Sequence, residues 1–186
     1  MSTVSVRTAT TADVADIARI QRRTWRVAYA ELLGEQALAQ LDSPDVEQGW
    51  VATVEHVGTE VHLAIEADTI VGYCVTGPGP TDEIAAADGS LPDDAEAVGL
   101  IGDLLVEPRW GRRGHGGRLL ATAAQWLHGQ GITRGVTWVA QSDSASLDFF
   151  RRAGWHPDNT VRTLDTGGHT IREIRITGTL DLHLRD

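Results

Sequence analysis

The segment from Leu104 to Leu120 holds the residue types best suited to chemistry. An apolar run ends at Pro108, and a turn rich in glycine and arginine then leads into an amphipathic stretch. Glycines in such a turn let backbone N–H groups point outward together at the positive end of a helix dipole. Four cations surround this turn: Arg109, Arg112, Arg113 and Arg118. The segment therefore predicts a cradle for a phosphate-bearing ligand.

Two common nucleotide-binding motifs do not fit this segment. Gly111 and Gly116 have the spacing of a P-loop, but Gly117-Arg118 stand where a lysine and a hydroxyl are needed. The dinucleotide fingerprint needs a glycine at the position of Leu119. Both motifs are therefore disfavoured, although a nucleotide-phosphate enzyme stays one alternative. A second alternative is that the glycines only cap a helix among solvated arginines.

The elements that must position this turn follow from the periodicity of apolar residues. A capping-box pattern at Thr10 to Asp13 starts a helix, Ser43-Pro44 starts another, and alternation after Glu60 indicates a hairpin. Acidic residues between 77 and 96 indicate a loop with at most one helical turn. We predict strands over 5–8, 60–75 (a hairpin), 97–106, 136–140, 161–165 and 171–180, and helices over 10–29, 31–41, 43–54, 114–129 and 144–153. This order predicts a single domain, residues 1–186, of the α/β (α+β) class, with a mixed sheet and helices on both faces.

Composition limits the partners and the compartment. The chain has 186 residues, 26 acidic against 16 basic residues, and a net charge of −10. This balance disfavours nucleic acid and anionic membranes, because both require a cationic surface. One cysteine excludes an internal disulfide, and no export signal or apolar run of membrane-spanning length is present, so we expect a cytoplasmic protein. The seven histidines lack metal-ligand spacing, so no metal is expected.

Three runs carry a resemblance to a known family. Val106-Glu107-Pro108 precedes Arg112-Arg113-Gly114-His115-Gly116, which opens a helix with Leu119-Leu120, and a Phe-Phe-Arg-Arg-Ala-Gly-Trp run follows at 149–155. Together they resemble the motifs of the GCN5-related N-acetyltransferase (GNAT) superfamily, and the likeness spans almost the whole chain. The resemblance implies a mostly antiparallel sheet with a splayed central strand pair.

The resemblance also implies a site for acetyl-CoA. Backbone amides of the turn would hold the pyrophosphate, the strand ending at Val106 would pair with the pantetheine arm, and Asp143 stands where an asparagine often contacts that arm. Tyr29 stands where the family often lines the acceptor pocket. The implied cofactor-binding residues are Leu104, Val106, Arg112, Arg113, Gly114, His115, Gly116, Gly117 and Asp143.

The catalytic positions depart from the family pattern. Phe150 replaces the tyrosine that usually protonates the thiolate, and Leu100 replaces the glutamate that often serves as general base. Asp103 is the only carboxylate inside the strand, and alternation places it on the face opposite Leu100 and Gly102 unless a bulge intervenes. A buried carboxylate paired with an arginine is the structural alternative for this residue. We take Asp103 as the candidate catalytic residue. Ser142, Ser144 and Ser146 are candidates to substitute for the missing hydroxyl, directly or through water, although helix capping and solvation are the favoured explanation of these serines.

The resulting hypothesis is an acetyl-CoA-dependent N-acetyltransferase that acts on a small or peptidyl primary amine by direct attack in a ternary complex. The alternative, motivated by Phe150 and Leu100, is a non-catalytic acyl-CoA-binding or sensor domain. The identity of the amine stays open, as does a homodimer formed through the C-terminal strands.

Overall fold

One seven-stranded sheet forms the centre of the fold. The computed structural model describes residues 3–182; Met1, Ser2 and residues 183–186 lie outside the described part. The strands lie in the order β1-β2-β3-β4-β5-β7-β6, and only β4 and β5 are parallel. Their bounds are β1 Val4–Thr8, β2 Glu60–Glu66, β3 Thr69–Pro78, β4 Val98–Val106, β5 Arg134–Ala140, β6 His156–Asp165 and β7 Thr170–Thr179.

Five of the six α-helices in the described residues lie close to the predicted helices, and α4 (Thr81–Ile84) is a single helical turn within the segment predicted as a loop. The six are α1 Val14–Ala28, α2 Ala30–Gln40, α3 Pro44–Glu55, α4 Thr81–Ile84, α5 His115–Gly129 and α6 Ser144–Arg152. The capping box is present: Asp13 Oδ2 accepts from Thr10 N at 2.8 Å, and a single 3-10 turn precedes α1. Ser43 Oγ likewise accepts from Asp45 N at 3.2 Å at the start of α3. Such caps stabilise a helix by about 1 kcal/mol each.

Helices cover both faces of the sheet, as predicted. On one face α1 and α3 pack against β2 and β3, around Ile17, Ile20 and Leu63, all fully buried. On the other, α5 and α6 pack through Leu119 and Phe150. Full burial of an aliphatic side chain stabilises the fold by about 1.5–3 kcal/mol. The core therefore consists of two apolar layers that fix α1 and α5 on opposite sides of β4.

The two parallel central strands splay apart. Their pairing covers only Val98↔Arg134, Gly99↔Gly135 and Leu100↔Val136, although both strands continue beyond it. On its other edge β4 has a bulge: Gly102 and Asp103 together lie opposite the single residue Val75 of β3. Because a bulge bends its strand and increases its twist, it accounts for the divergence at this point. The splayed pair expected from the family resemblance is confirmed.

Two local features differ from the predictions. Strand β6 begins at His156, not at residue 161, with an irregular register between Pro157 and Val161 where Asn159 has a φ of 69°. Helix α2 contains a break at Gly34, whose φ of 68° is left-handed. Both breaks interrupt the side-chain periodicity that the predictions used.

Candidate functional site

The anion-binding turn forms a surface of backbone N–H groups. Arg112 (φ 61°) and Gly114 (φ 79°) both adopt left-handed conformations, and α5 begins directly afterwards at His115. Within residues 3–182, no backbone carbonyl accepts a hydrogen bond from the N–H groups of residues 112–117. Turns that contain left-handed residues can direct successive backbone N–H groups to one side, and the first turn of a helix leaves its N–H groups without intrahelical acceptors. Both arrangements can bind an anion. We call residues 112–117 the cradle.

Two glycines of the cradle are required by their surroundings. Gly114 is left-handed, and a Cβ there would lie 2.8 Å from the Nη1 of Arg118. A Cβ on Gly116 would lie 3.3 Å from the Phe149 ring and 3.7 Å from Leu104. The first glycine sets the direction of the turn, and the second lets α5 approach α6 and β4 closely.

The arginines around the cradle are less free than their sequence positions indicate. Arg113 lies 4.8 Å from the Trp110 ring centre and donates to Glu66 Oε1 at 3.1 Å. Arg109 pairs with Glu107 at 3.2 Å. Arg112 and Arg118 are exposed. The cradle's positive field thus comes from the helix terminus together with cations that are partly compensated by carboxylates.

His115 lies in the cradle but points inward. Its side chain is fully buried, and Nε2 donates to Glu66 Oε2 at 2.8 Å. The buried imidazole is therefore not accessible to a phosphate in this geometry, and it ties the cradle to the end of β2. The predicted role of His115 in cofactor binding is thus restricted to its backbone N–H and stays a prediction.

A buried ionic cluster fixes the other end of the turn. Glu107, 2 % exposed, accepts from Arg23 at 2.6 Å and from Arg19 at 3.4 Å. Burial opposes its ionisation, yet Arg23, Arg109 and Arg19 together lower the pKa of the Glu107 carboxyl below its usual value. The cluster joins α1 to the residue between β4 and the cradle. Sequence reasoning treated Glu107 only as the variable position of the Val-x-Pro motif.

The splay leaves the β5-facing edge of β4 unpaired beside the cradle. Leu104 and Val106 pair with β3 on one side, opposite Cys74 and Gly72, while the ladder to β5 has already ended at Leu100. An unpaired strand edge offers alternating N–H and C=O groups to an extended ligand. The two predicted positions thus lie where a ligand could run from the cradle into the gap.

A cavity of about 670 Å³ opens at the splay. Its floor consists of the diverging ends of β4 and β5, residues 102–105 and 137–140. Residues of α1, α2 and α6 and the tip of the β6–β7 hairpin complete its walls. This is a volume of the size that small ligands occupy. We call it the acceptor cavity.

Asp103 lies in the acceptor cavity because of the bulge. Strict alternation predicted the opposite face, but the extra residue places Asp103 on the side of Tyr73 and Leu105, facing α1. Burial raises the pKa of the Asp103 carboxyl, the hydrogen bond from Tyr73 Oη at 3.4 Å lowers it in part, and the nearby charge of Glu173 makes a smaller contribution that raises it. A desolvated carboxylate of this kind is suited to accept a proton.

Tyr29 and Asp143 meet at the start of α6. Tyr29 Oη donates to Asp143 Oδ2 at 2.9 Å, and the same carboxylate accepts from the N–H and the hydroxyl of Ser146 at 3.0 and 2.7 Å. Burial, with the charge of Asp143, raises the pKa of Tyr29 well above its usual value. Asp143 thus caps α6 and holds Tyr29 in the cavity wall, and this commits the phenol to donation toward Asp143.

The two positions that depart from the family pattern are apolar in the structure. Phe150 is 4 % exposed, belongs to the α5 core and lines the acceptor cavity. Leu100 packs in a small cluster with Ile84, Val98 and Val136. Neither position carries a group that can transfer a proton. Asp103, which lies at neither of these two positions, is the only carboxylate that β4 contributes to the cavity lining in the described residues.

Several cavity residues were not identified from the sequence. Trp138, Asp165 and Glu173 line the cavity from β5 and from the β6–β7 hairpin. Trp25 of α1 also lines it. Alternation along β5 could have placed Trp138 and Val136 on the same face of the sheet. No local signal in the sequence indicated which face of the sheet the β6–β7 hairpin covers.

The described residues contain neither a membrane-spanning helix nor a cluster of metal ligands. No helix of residues 3–182 is long and apolar enough to cross a membrane. In the same range no group of three or more His, Cys, Asp or Glu residues is arranged to hold a metal ion; His183, counted among the histidines above, lies outside it.

A mixed sheet that splits between two parallel central strands, with a helix N-terminus at the mouth of the split, defines the N-acetyltransferase class of fold. The chain belongs to the Acetyltransferase (GNAT) family, which it matches over residues 15–155.

Individual relatives agree with this assignment. The uncharacterized N-acetyltransferase YuaI of Bacillus subtilis (strain 168) is 27 % identical over 172 residues, which cover 92 % of this chain and 90 % of YuaI. The structure of YncA from Salmonella typhimurium with its cofactor acetyl-CoA has a TM-score of 0.71 at 18 % identity and covers 100 % of this chain and 98 % of its own. The PaiA N-acetyltransferase of Thermoplasma acidophilum, in complex with coenzyme A, has a TM-score of 0.69 at 14 % identity, covering 95 % and 99 %. At these identities the two structures establish the fold.

Proposed function

We propose that the chain transfers the acetyl group of acetyl-CoA to a primary amine by direct attack in a ternary complex. The observation that carries the proposal is continuity: the cradle, the unpaired edge of β4 and the acceptor cavity with Asp103 follow one another along β4. YncA and PaiA, with the same fold, were solved with acetyl-CoA and coenzyme A respectively.

The cradle fits the pyrophosphate of coenzyme A through main-chain groups. Outward N–H groups of residues 112–117 would bind its oxygens, and Arg112 and Arg113 would add charge at the rim. Leu104 and Val106 would pair with the pantetheine arm through their backbone. Asp143 is committed to Ser146 and Tyr29, so its contact with that arm would be limited to accepting from an amide.

Asp103 would act on the amine. An ammonium ion cannot attack, and its deprotonation costs about 1.4 kcal/mol for each unit by which its pKa exceeds the pH. Asp103 would accept that proton within the cavity, the nitrogen would bond to the thioester carbon, and the carbon–sulfur bond would break. The leaving thiolate has an ordinary thiol pKa of about 8.5, so it can depart without a tyrosine at position 150.

Two measurements test the proposal. Calorimetry should show saturable binding of acetyl-CoA to the folded protein, and a thiol assay should show release of CoA that depends on an added amine. Binding without amine-dependent release across a broad amine panel would favour the acyl-CoA-binding alternative, for which Phe150 is the supporting observation. Absence of binding at tens of micromolar would exclude both functions.

A further inference from the structure

The acceptor cavity has a one-sided charge. Three carboxylates line it, and no arginine or histidine is among its lining residues in the described part of the chain: Asp103, Asp165 and Glu173 supply the charge. This is notable because the chain contains 16 arginines, several of them beside the cradle. The cofactor end and the acceptor end of the proposed site therefore have opposite polarity.

The carboxylates follow one direction across the sheet. Asp103 is on β4, Glu173 on β7 and Asp165 at the end of β6, and the strand order places β5 between the first two. Paired neighbouring strands lie about 4.8 Å apart, and β4 and β5 diverge at Asp103, so the row extends for more than about 14 Å across the sheet. A compact single charge would not span such a row, whereas an extended molecule would.

A local ion pair compensates only one carboxylate of this row, Glu173. Glu173 pairs with Arg162 at 2.6 Å, and Arg162 is shared with Glu83 at 2.8 Å. Within residues 3–182 neither Asp103 nor Asp165 forms an ion pair with an arginine. Asp165 Oδ1 accepts from Gly167 N at 2.9 Å, which leaves its second oxygen exposed at the cavity rim. Asp103 at the inner end of the cavity and Asp165 at its rim thus carry the two carboxylates that no arginine of the described residues compensates.

Aromatic rings between these ends suit the same kind of ligand. Trp25, Tyr29, Trp138 and Phe150 all line the cavity. Trp138 already contacts two cations, with Arg162 4.3 Å and Arg175 5.6 Å from its ring centre. Ring faces attract ammonium groups and also pack against methylene chains.

We propose that the acceptor is a linear amine with at least two positive charges, whose reacting nitrogen lies toward Asp103 while a second ammonium lies at Asp165. This inference rests on the proposed function, and it specifies the substrate class of the same cavity. A carboxylate at the far end of the acceptor would instead meet like charge at the rim.

Three probes of equal length test the far-end charge. They are 1,8-diaminooctane, octylamine and 8-aminooctanoate, which place a positive, a neutral and a negative group at the second end. Calorimetry on the full chain at pH 7.5 should show about tenfold tighter binding of the diamine than of octylamine, with the amino acid weakest. The readout is binding, so it does not depend on turnover.

Asp165→Asn isolates the rim charge. The amide oxygen keeps the hydrogen bond from Gly167 N, so the hairpin tip is retained. Diamine affinity should fall about three- to fivefold, the range for an exposed charge pair, while octylamine affinity stays constant. Asp148→Asn, an equal charge change on the exposed surface of α6, should alter neither.

The outcomes separate this inference from the proposed function. Equal affinities for diamine and monoamine, or no binding of either, would overturn the inference, as would an unchanged ratio in Asp165→Asn. Selective diamine binding without CoA release from acetyl-CoA would support the selectivity of the cavity for two positive charges, but it would refute the transferase and with it the role of the diamine as acceptor. Release of CoA with octylamine and the diamine at equal kcat/KM and equal affinity would support the transferase and overturn the inference about the second positive charge.

Discussion

The cradle and the acceptor cavity both adjoin the C-terminal half of β4, but they are assembled differently. The cradle consists of six consecutive residues, 112–117, and works through backbone N–H groups whose direction is set by a glycine and a helix start. The cavity is lined by side chains from α1, α2, α3, β4, β5, α6, β6 and β7. A main-chain site tolerates side-chain variation, whereas a side-chain site changes its ligand with each substitution. One end can therefore keep a common cofactor while the other end sets the acceptor.

The largest expected effect separates chemistry at the cavity from binding at the cradle. Asp103→Asn removes the proton acceptor without changing volume, so kcat/KM for the amine should fall by about 10²–10⁴, the usual contribution of a general base. The dissociation constant for acetyl-CoA should stay unchanged in calorimetry. A parallel loss of acetyl-CoA affinity would show that the two regions are not separable, and Asp148→Asn is the matched control.

The second effect should be confined to the cradle. Gly114→Val forces a β-branched residue into a left-handed conformation, which should turn the N–H groups away and weaken acetyl-CoA binding by about 100-fold, since hydrogen bonds to charged groups contribute about 1.5–3 kcal/mol each. Gly131→Val is the control: Gly131 has a φ of 81° at the end of α5, away from the cradle, and no atom lies within 4 Å of its added Cβ. Equal losses in both variants would indicate a general effect of strain on the fold.

A smaller effect tests how much side-chain charge adds to the backbone cradle. Arg113→Ala removes an exposed cation that is already paired with Glu66. Its contribution should be about three- to tenfold in acetyl-CoA affinity and should decrease with added salt. Arg151→Ala, an exposed arginine on α6, should have no effect. A loss as large as that from Gly114→Val would mean that the cradle binds through side chains.

The smallest effect is on stability, and it has the opposite sign to the effect on activity. Because burial raises the pKa of Asp103 in the folded state, ionised Asp103 lowers the free energy of unfolding as the pH rises from about 4 through the folded-state pKa. Asp103→Asn should raise Tm at pH 7 by about 2–4 °C, which corresponds to about 1 kcal/mol for a chain of this size. This gain should disappear below pH 4 in thermal unfolding. An equal or lower Tm at pH 7 would contradict the desolvated carboxylate.

The same pKa direction predicts the acid side of the rate profile. As the pH falls through the raised pKa of Asp103, the carboxyl gains a proton and can no longer accept one from the amine, so kcat/KM should fall. Measurement of CoA release from pH 5 to 9 should place this decline above the usual aspartate range. A profile that is flat down to pH 4 would exclude Asp103 as the base.

Most elements were predictable because their signals are local. The capping box at Thr10, the Ser43-Pro44 start and the alternation of β2 depend on residues within one turn or one strand. The register of β6 and the break in α2 were missed because Asn159 and Gly34 take left-handed conformations that interrupt the side-chain pattern.

By itself, the sequence determined the order of the elements, the motifs that resemble the family and the position of the cradle; the splayed central pair was implied only by that resemblance. The first three depend on contiguous motifs, on glycine conformations and on a helix dipole, so their physical basis lies within neighbouring residues. Tertiary structure alone decided that His115 points inward to Glu66, that Asp143 holds Tyr29, and that a bulge opposite Val75 turns Asp103 into the cavity. It also decided that Asp165 and Glu173 join Asp103 there. These relations bring together strands far apart in the chain, and one extra residue in a strand reverses the face on which every later side chain lies.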